Sequence, residues 1–473
     1  MHTLTMKFGG TSVGDADAIR RVVSIVQDAG RQAEHVVVVV SAMSGVTDTL
    51  LAGAQQAASG DNKAFRKTIR ALRDKHYAAA RTLLGEEGGS VIQQVDRYLG
   101  RYSSFCESVH VLGEVTPRAL DYIASLGERM SARLASAALS VEGVPAEAVN
   151  ATHLIVTDDN FQAAAPLWDQ TCAQVRHVLP KMLDKGIVPV VTGFIGATEE
   201  GVTTTLGRGG SDFSAAIVGV CLGCDEVWIW SDVDGVMSAD PRAVPEACTI
   251  PTLGYREVSE LAYFGAKVLH PKTIRPVVEA GIPLRIKNTF NPANPGTLVL
   301  PDSEVVDGAI KAVTKVPGLS IVVVQGKGML GVPGIAARTF AAVAEAHANV
   351  LMISQASSEQ SICFAVQADQ APAVVEALRG TFALELARGD IDRIWEQRNV
   401  EIVTVVGQGV RDTPGIAGQV FTATGQAGIN AIAIAQGASE CSISLAVDAS
   451  HGDTALRCIH NLAVQPVGDR QGA

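Results

Sequence analysis

The feature that most restricts how this chain can fold is a repeat in its last third. Ile353-Ser-Gln-Ala-Ser-Ser-Glu-Gln-Ser-Ile-Cys-Phe-Ala-Val366 aligns with Ile434-Ala-Gln-Gly-Ala-Ser-Glu-Cys-Ser-Ile-Ser-Leu-Ala-Val447, eight of fourteen positions being identical. The same offset of 81 residues pairs Pro333-Gly334-Ile335-Ala336 with Pro414-Gly415-Ile416-Ala417, Phe340 with Phe421 and Asn349 with Asn430. A constant offset over so long a stretch marks a duplicated unit. Each copy reads strand, Pro-Gly turn, helix, strand, tight turn, strand, helix, a small α+β module. Two copies are too few for a solenoid and enough for a side-by-side pair.

A length of 473 residues suggests about three domains at ~150 residues each. The repeat takes two of them, leaving one large domain ahead of it. There strands alternate with helices. Leu4–Phe8 reads as a strand, Ala16–Ala29 as a helix, and Val36–Val40 as a strand apolar on both faces, as in a parallel sheet covered on both sides. Thr49–Leu99 reads as a long helical stretch with turns near Gly60 and Gly85–Gly89. Ser125–Leu139 is another helix, and strands recur at Ile187–Phe194, Glu226–Trp230 and Leu284–Asn288. This alternation predicts an α/β domain, a mostly parallel sheet sandwiched by helices. The breaker run Asn291-Pro292-Ala293-Asn294-Pro295-Gly296 puts a boundary near residue 300. The expected domains are 1–300, then α+β modules at 315–395 and 396–468.

Composition narrows the function. A formal charge of −11 argues against binding a nucleic-acid backbone, though a few local cations can still hold a small phosphorylated ligand. No apolar run reaches the roughly 18–20 residues that span a membrane, and Met1–Lys7 carries no secretory leader. Eight scattered cysteines are too sparse for a disulfide framework. Cys221 and Cys224, a C-x-x-C without a second pair, read as ordinary small buried residues. A reducing cytoplasm is the expected compartment.

Chemistry is expected where strands end. Lys7-Phe8-Gly9-Gly10-Thr11-Ser12 follows the first strand; its glycines let backbone N–H groups approach a phosphate, and Lys7 adds charge. Ser41-Ala42-Met43-Ser44-Gly45-Val46-Thr47 follows the second, and ligands of open α/β sheets gather at such carboxyl ends. Gly207-Arg208-Gly209-Gly210-Ser211-Asp212 opens a helix, which makes an anion site by geometry and dipole. Asp212 is either a first-turn helix charge or the organiser of nearby cations. Ser231-Asp232-Val233-Asp234-Gly235 places carboxylates at another strand end, facing a nucleotide or metal, or solvent. Lys267 in Gly265-Ala266-Lys267-Val268-Leu269-His270-Pro271 needs a partner or a ligand, whereas His270 reads as a cap. Glu128-Arg129 is a helix ion pair unless a ligand claims it. Gly326-Lys327-Gly328-Met329-Leu330-Gly331 fits the dinucleotide fingerprint, but the next strand ends in Ser354-Gln355-Ala356-Ser357 without an acid, which argues against NAD. No G-x-x-x-x-G-K-[ST] occurs, so a P-loop is excluded.

In this order the segments Lys7–Ser12, Ser41–Thr47, Gly127-Glu128-Arg129, Gly207–Asp212, Ser231–Gly235 and Lys267–Pro271 resemble aspartate kinases of the amino acid kinase family. The repeated modules resemble paired ACT domains, and the Gln355 and Gln436 segments look like those of the kinase half of bifunctional aspartate kinase–homoserine dehydrogenases. The resemblance implies transfer of the ATP γ-phosphoryl group to the side-chain carboxylate of L-aspartate. It gives Lys7, Arg208 and Asp212 the catalytic work, with Lys7, Gly9 and Gly10 at the phosphates. Ser41, Thr47, Glu128 and Arg208 hold the amino acid. Ser231, Asp232, Arg242 and Lys267 line the ATP side, with Mg²⁺ carried by phosphate oxygens and water and no protein metal site. Met237 stands where many relatives carry Tyr. Gln355 and Gln436 imply regulation by an end-product amino acid, threonine ahead of lysine, in a homodimer or tetramer. Another carboxylate kinase of the same fold and an inert amino-acid sensor stay open as alternatives.

Overall fold

In the computed structural model, residues 2–265, 269, 271–301, 310–355, 360–437 and 441–463 are described. They fall into two compact units. The first holds residues 1–236, 251–255 and 269–305; the second holds 237–250, 256–268 and 306–473.

Valine sets the centre of the first unit. Val36–Val40 are all at most 5 % exposed, because β-branched side chains pack well on both faces of a buried parallel strand. The strands are β1 (Thr3–Phe8), β2 (His35–Val40), β3 (Ala146–Val149), β4 (Val188–Thr192), β5 (Ile195–Ala197), β6 (Thr203–Thr205), β7 (Glu226–Ser231), β8 (Thr252–Gly254), β9 (Leu284–Asn288) and β10 (Thr297–Leu300). Eight of them form one sheet in the order β3-β4-β2-β1-β7-β9-β10-β8, and β5 and β6 form a separate ribbon. Within the large sheet only the β9–β10 ladder is antiparallel. The mostly parallel sheet with its helices is the α/β architecture expected.

Register aligns the strand ends. Phe8 lies beside Val40 on one side and Trp230 on the other, so the turns after β1, β2 and β7 leave at one edge. The helix Ala16–Ala29 has the bounds the periodicity predicts; Asp15 accepts the Ala18 N–H at its start, and Ile19, Val22, Val23 and Val26 face the core. The long helical stretch is three helices, Val46–Ala58, Asn62–Leu84 and Gly89–Leu112. The helix Pro117–Val141 begins earlier than its apolar pattern. Thr116 accepts the Ala119 N–H and Pro117 occupies the first turn, where its missing N–H costs nothing.

One expectation is corrected in this unit. Cys221 is not an isolated buried thiol but forms a disulfide with Cys172. The helices Trp168–Leu183 and Gly210–Leu222 bring together two cysteines 49 residues apart, a juxtaposition that spacing does not reveal. Cys224 remains a buried thiol, its pKa pushed up to about 11 by burial.

The second unit adds β11 (Ala312–Gln325), β12 (Met352–Gln355), β13 (Ser361–Gln367), β14 (Arg393–Val406), β15 (Ala433–Ala435) and β16 (Ser442–Asp448). The repeated modules join in a single antiparallel sheet, β12-β13-β11-β14-β16-β15. β11 and β14, one from each copy, pair along nearly their whole length at its centre. Each module has its own core, around Phe364 and Leu378 in the first and Val403 and Ile459 in the second. Two earlier segments join them. Ala239 and Val244 enter the second module's core. In the helix Tyr255–Tyr263, Glu257 is fully buried, pairs with Lys311 at 2.9 Å and accepts the Gln408 N–H at 2.8 Å.

Candidate active site

At the carboxyl edge of the first unit's sheet lies a cleft of about 750 Å³, lined by Lys7, Gly10, Ser41, Thr47, Glu128, Arg208, Asp212 and Asp232 among others. Residues expected from five separate turns and helices thus share one cavity.

Lys7 ends β1 almost buried, and its Nζ lies 2.6 Å from Asp212 Oδ1 in the first turn of the helix Gly210–Leu222. The ion pair fixes the ammonium in the cleft beside a helix N-terminus, where N–H groups and dipole favour an anion. Space at Gly10 is tight, because a Cβ there would lie 3.0 Å from the Ala42 carbonyl oxygen. The donor expected at Gly9 is a correction: its N–H donates to the Trp230 carbonyl (3.1 Å) and is not turned toward a phosphate.

The Ser41–Thr47 turn is held from several sides. Ser41 N–H donates to the Phe8 carbonyl and Ser44 N–H to the Gly10 carbonyl, while Ala42 N–H donates to Glu128 Oε1 (3.3 Å). Lys75 of the helix Asn62–Leu84 donates from Nζ to the Ser44 carbonyl at 2.6 Å. Glu128 is only 3 % exposed, and its Oε2 is buried without a hydrogen-bond partner. Burial pushes its pKa up to about 8. A desolvated carboxylate with one empty oxygen, opening on a cleft, is suited to a cation supplied from outside.

Arg208 stands on the loop before the helix Gly210–Leu222, exposed and without an ion pair among the described residues. Gly207 beside it has φ +77° and packs against the Gln162 carbonyl. Asp232 lines the cleft from the end of β7, while the hydroxyl of Ser231 accepts the Val233 N–H. Arg242 belongs to the second unit, where its guanidinium forks onto Asp240. Lys267 and His270 lie outside the described residues. Two cations, Lys7 and Arg208, face five carboxylates, Asp48, Asp121, Glu128, Asp212 and Asp232.

Gln355 lines a separate cavity of about 310 Å³ in the first module, between the Gly331–Ala336 turn and Ile362. Gln436 lies exposed just after β15.

Among the residues of the site that were not anticipated are Asp48, Lys75 and Asp121. Lys75 gives no sequence signal. Asp121 does: it stands seven residues before Glu128, two turns along one helix face, and both line the cleft.

Comparison with known proteins finds relatives over nearly the whole chain. Residues 3–288 match the amino acid kinase family, and residues 322–382 and 403–462 match the ACT domain. The chain is 38 % identical over 463 residues to bifunctional aspartokinase/homoserine dehydrogenase 1 of Arabidopsis thaliana, covering 96 % of this chain and 50 % of the relative. It therefore spans about half the length of such curated relatives. It is 30 % identical to the aspartokinase of Schizosaccharomyces pombe, covering 98 % of this chain and 93 % of that one. Among solved structures, Escherichia coli aspartokinase III in complex with aspartate and ADP superposes with a TM-score of 0.79 at 27 % identity, covering 98 % of this chain and all of that one. With both regions matched in order, the chain belongs to the amino acid kinase family, among the aspartokinases that carry ACT domains.

Proposed function

We propose that the chain is an aspartate kinase, converting ATP and L-aspartate into ADP and 4-phospho-L-aspartate, the first step towards lysine, threonine and methionine. The observation that carries this reading is the cleft itself, where the Lys7–Asp212 pair, Arg208 and the half-satisfied Glu128 converge. The related aspartokinase III binds aspartate and ADP, which supports the same two ligands here.

The substrate side chain is already ionised at neutral pH and is itself the nucleophile, so no general base is needed. Catalysis is then positioning and charge neutralisation. Lys7 faces the transferred phosphoryl group and Asp212 holds its ammonium in place. Arg208 offers a two-pronged donor to a substrate carboxylate. Glu128 receives the substrate ammonium, with Ser41 and Thr47 completing the amino-acid pocket. Gly10, Ser231 and Asp232 serve the nucleotide. Mg²⁺ would be carried mainly by the nucleotide's phosphate oxygens and by water, where it would neutralise phosphate charge.

The paired modules make the enzyme responsive to an end-product amino acid, threonine ahead of lysine, through Gln355 and Gln436. The related structures and the cavity at Gln355 support this. A coupling of about 1–3 kcal/mol is the usual range. Among the described residues no helix is long and apolar enough to cross a membrane.

The test is hydroxylamine trapping of the acyl phosphate formed from ATP and L-aspartate. Hydroxamate from aspartate is expected, lost by at least a hundredfold in Lys7→Ala and Asp212→Ala. The same assay titrated with threonine and lysine should show inhibition that Gln355→Ala or Gln436→Ala relieves. Product from a different acid would sink the substrate assignment, and indifference to both amino acids would sink the regulatory one.

A further inference from the structure

Asp121 is an expensive residue with no role in the chemistry set out above. It is 1 % exposed, and burial raises its pKa. It forms no ion pair among the described residues. A buried carboxylate of this kind is tolerated only if donors replace its water, and here they do. Oδ1 accepts the Thr205 hydroxyl at 2.7 Å and Oδ2 accepts the Thr205 N–H at 2.9 Å. The Gln162 N–H is shared between the two oxygens, at 3.2 and 3.0 Å.

These donors come from two segments that meet at the cleft. Thr205 is the last residue of β6, three positions before Arg208. Gln162 holds a left-handed φ of +71°, uncommon for a residue with a side chain. Its carbonyl would lie 3.1 Å from a Cβ on Gly207. One carboxylate therefore clamps both walls of the passage through which the chain enters Gly207 and Arg208. Backbone bonds from Leu206 N–H to the Phe194 carbonyl and from Gly210 N–H to the Gly207 carbonyl, both 2.9 Å, hold the same loop. Asp121 adds to them a carboxylate that ties this segment to the helix bearing Glu128, while Arg208 itself is exposed and has no ion pair among the described residues.

The contrast with Glu128 on the same helix face is informative. Glu128 keeps one oxygen without a partner, whereas both oxygens of Asp121 are occupied. The first is available to a ligand; the second is committed to the scaffold. We infer that Asp121 is a positioning residue for phosphoryl transfer, fixing the Thr205–Gly207 segment from which Arg208 reaches the amino-acid substrate. The inference rests on Arg208 being the substrate clamp of the proposed kinase.

Asp121→Asn tests it in the 473-residue chain. The isosteric amide keeps one acceptor and turns an N–H₂ against a donor. The KM for L-aspartate should rise at least tenfold while the KM for ATP stays within twofold. The decisive reading is a double-mutant cycle with Arg208→Ala. If Asp121 acts through Arg208, adding Asp121→Asn to Arg208→Ala should change kcat/KM for aspartate less than threefold. Thr205→Val, which removes the hydroxyl donor and keeps the shape, should raise the KM for aspartate several-fold and stands in if Asp121→Asn does not fold. Unchanged kinetics, an equal rise in both KM values, or effects that multiply in the cycle would overturn the inference. A wild-type chain that forms no hydroxamate from aspartate would instead remove the kinase reading itself, so the two failures are distinguishable.

Discussion

Glu128 carries the most direct pH prediction. Burial raises its pKa to about 8, so below that pH the empty-handed enzyme holds a neutral acid facing the cleft. The substrate ammonium needs the ionised form. Apparent affinity for aspartate should therefore improve as pH rises from 6.5 towards about 8 and level off above it, because a raised carboxyl pKa makes the charged state the scarce one. Glu128→Gln should flatten this profile and raise the KM for aspartate at pH 8 by about tenfold. Steady-state KM measured across pH checks both, and a profile that keeps its slope in the variant contradicts the assignment. At this scale the sequence pointed to three charged residues that line the cleft, whereas Arg242 forks onto Asp240 in the second unit and the anchors left little trace. Lys7, Arg208 and Asp212 sit in glycine-rich strand-end motifs that carry their own signal. Lys75 reaches the Ser44 carbonyl across 31 residues, and Asp121 the Thr205 hydroxyl across 84; side chain bonds of such range leave no local pattern.

Among elements, the helix Tyr255–Tyr263 has the clearest energetic consequence. From Arg256 onward it belongs to the second unit, and its Glu257 is a fully buried partner of Lys311. Disturbing one half of a buried ion pair costs about 3–5 kcal/mol. Glu257→Gln, which keeps size and loses charge, should lower stability by about 3 kcal/mol and the Tm by several degrees in a thermal melt. A melt that matches the wild type would show that the pair contributes little to the fold. Element bounds were legible where one face is apolar and a cap is present: Ala16–Ala29 and Leu284–Asn288 agree to the residue. Residues 237–250 gave no such sign. Ala239 and Val244 are two small apolar positions in a loop, and only the core of Val403, Leu456 and Ile459 shows which unit they serve.

At the scale of the molecule, the six-stranded sheet ends in two short strands related by the repeat, β12 and β15. Ile353 and Ile434, equivalent positions on them, are 49 % and 42 % exposed. A strand edge with exposed apolar side chains is a surface that pairs with another chain. The homodimer or tetramer that the resemblance implies would cover these edges. Ile353→Lys combined with Ile434→Lys should reduce the mass seen by light scattering by at least half. A wild type that runs as a monomer, or a variant that keeps its assembly, would count against that role. The repeat made two modules visible in the sequence. Their union in one sheet was not, since a spacing of 81 residues says nothing of which strand lies at the centre.

That union has a consequence for any shortened form of the protein. β11 and β14 pair the backbone groups that face each other through the middle of the sheet. A chain ending after the first module would leave β11, fourteen residues long, as a bare and strongly apolar edge. Such an edge templates aggregation. A premature stop in the last third would therefore not yield a smaller working sensor; it would yield a precipitate, and the duplicated halves must be inherited, expressed and engineered together.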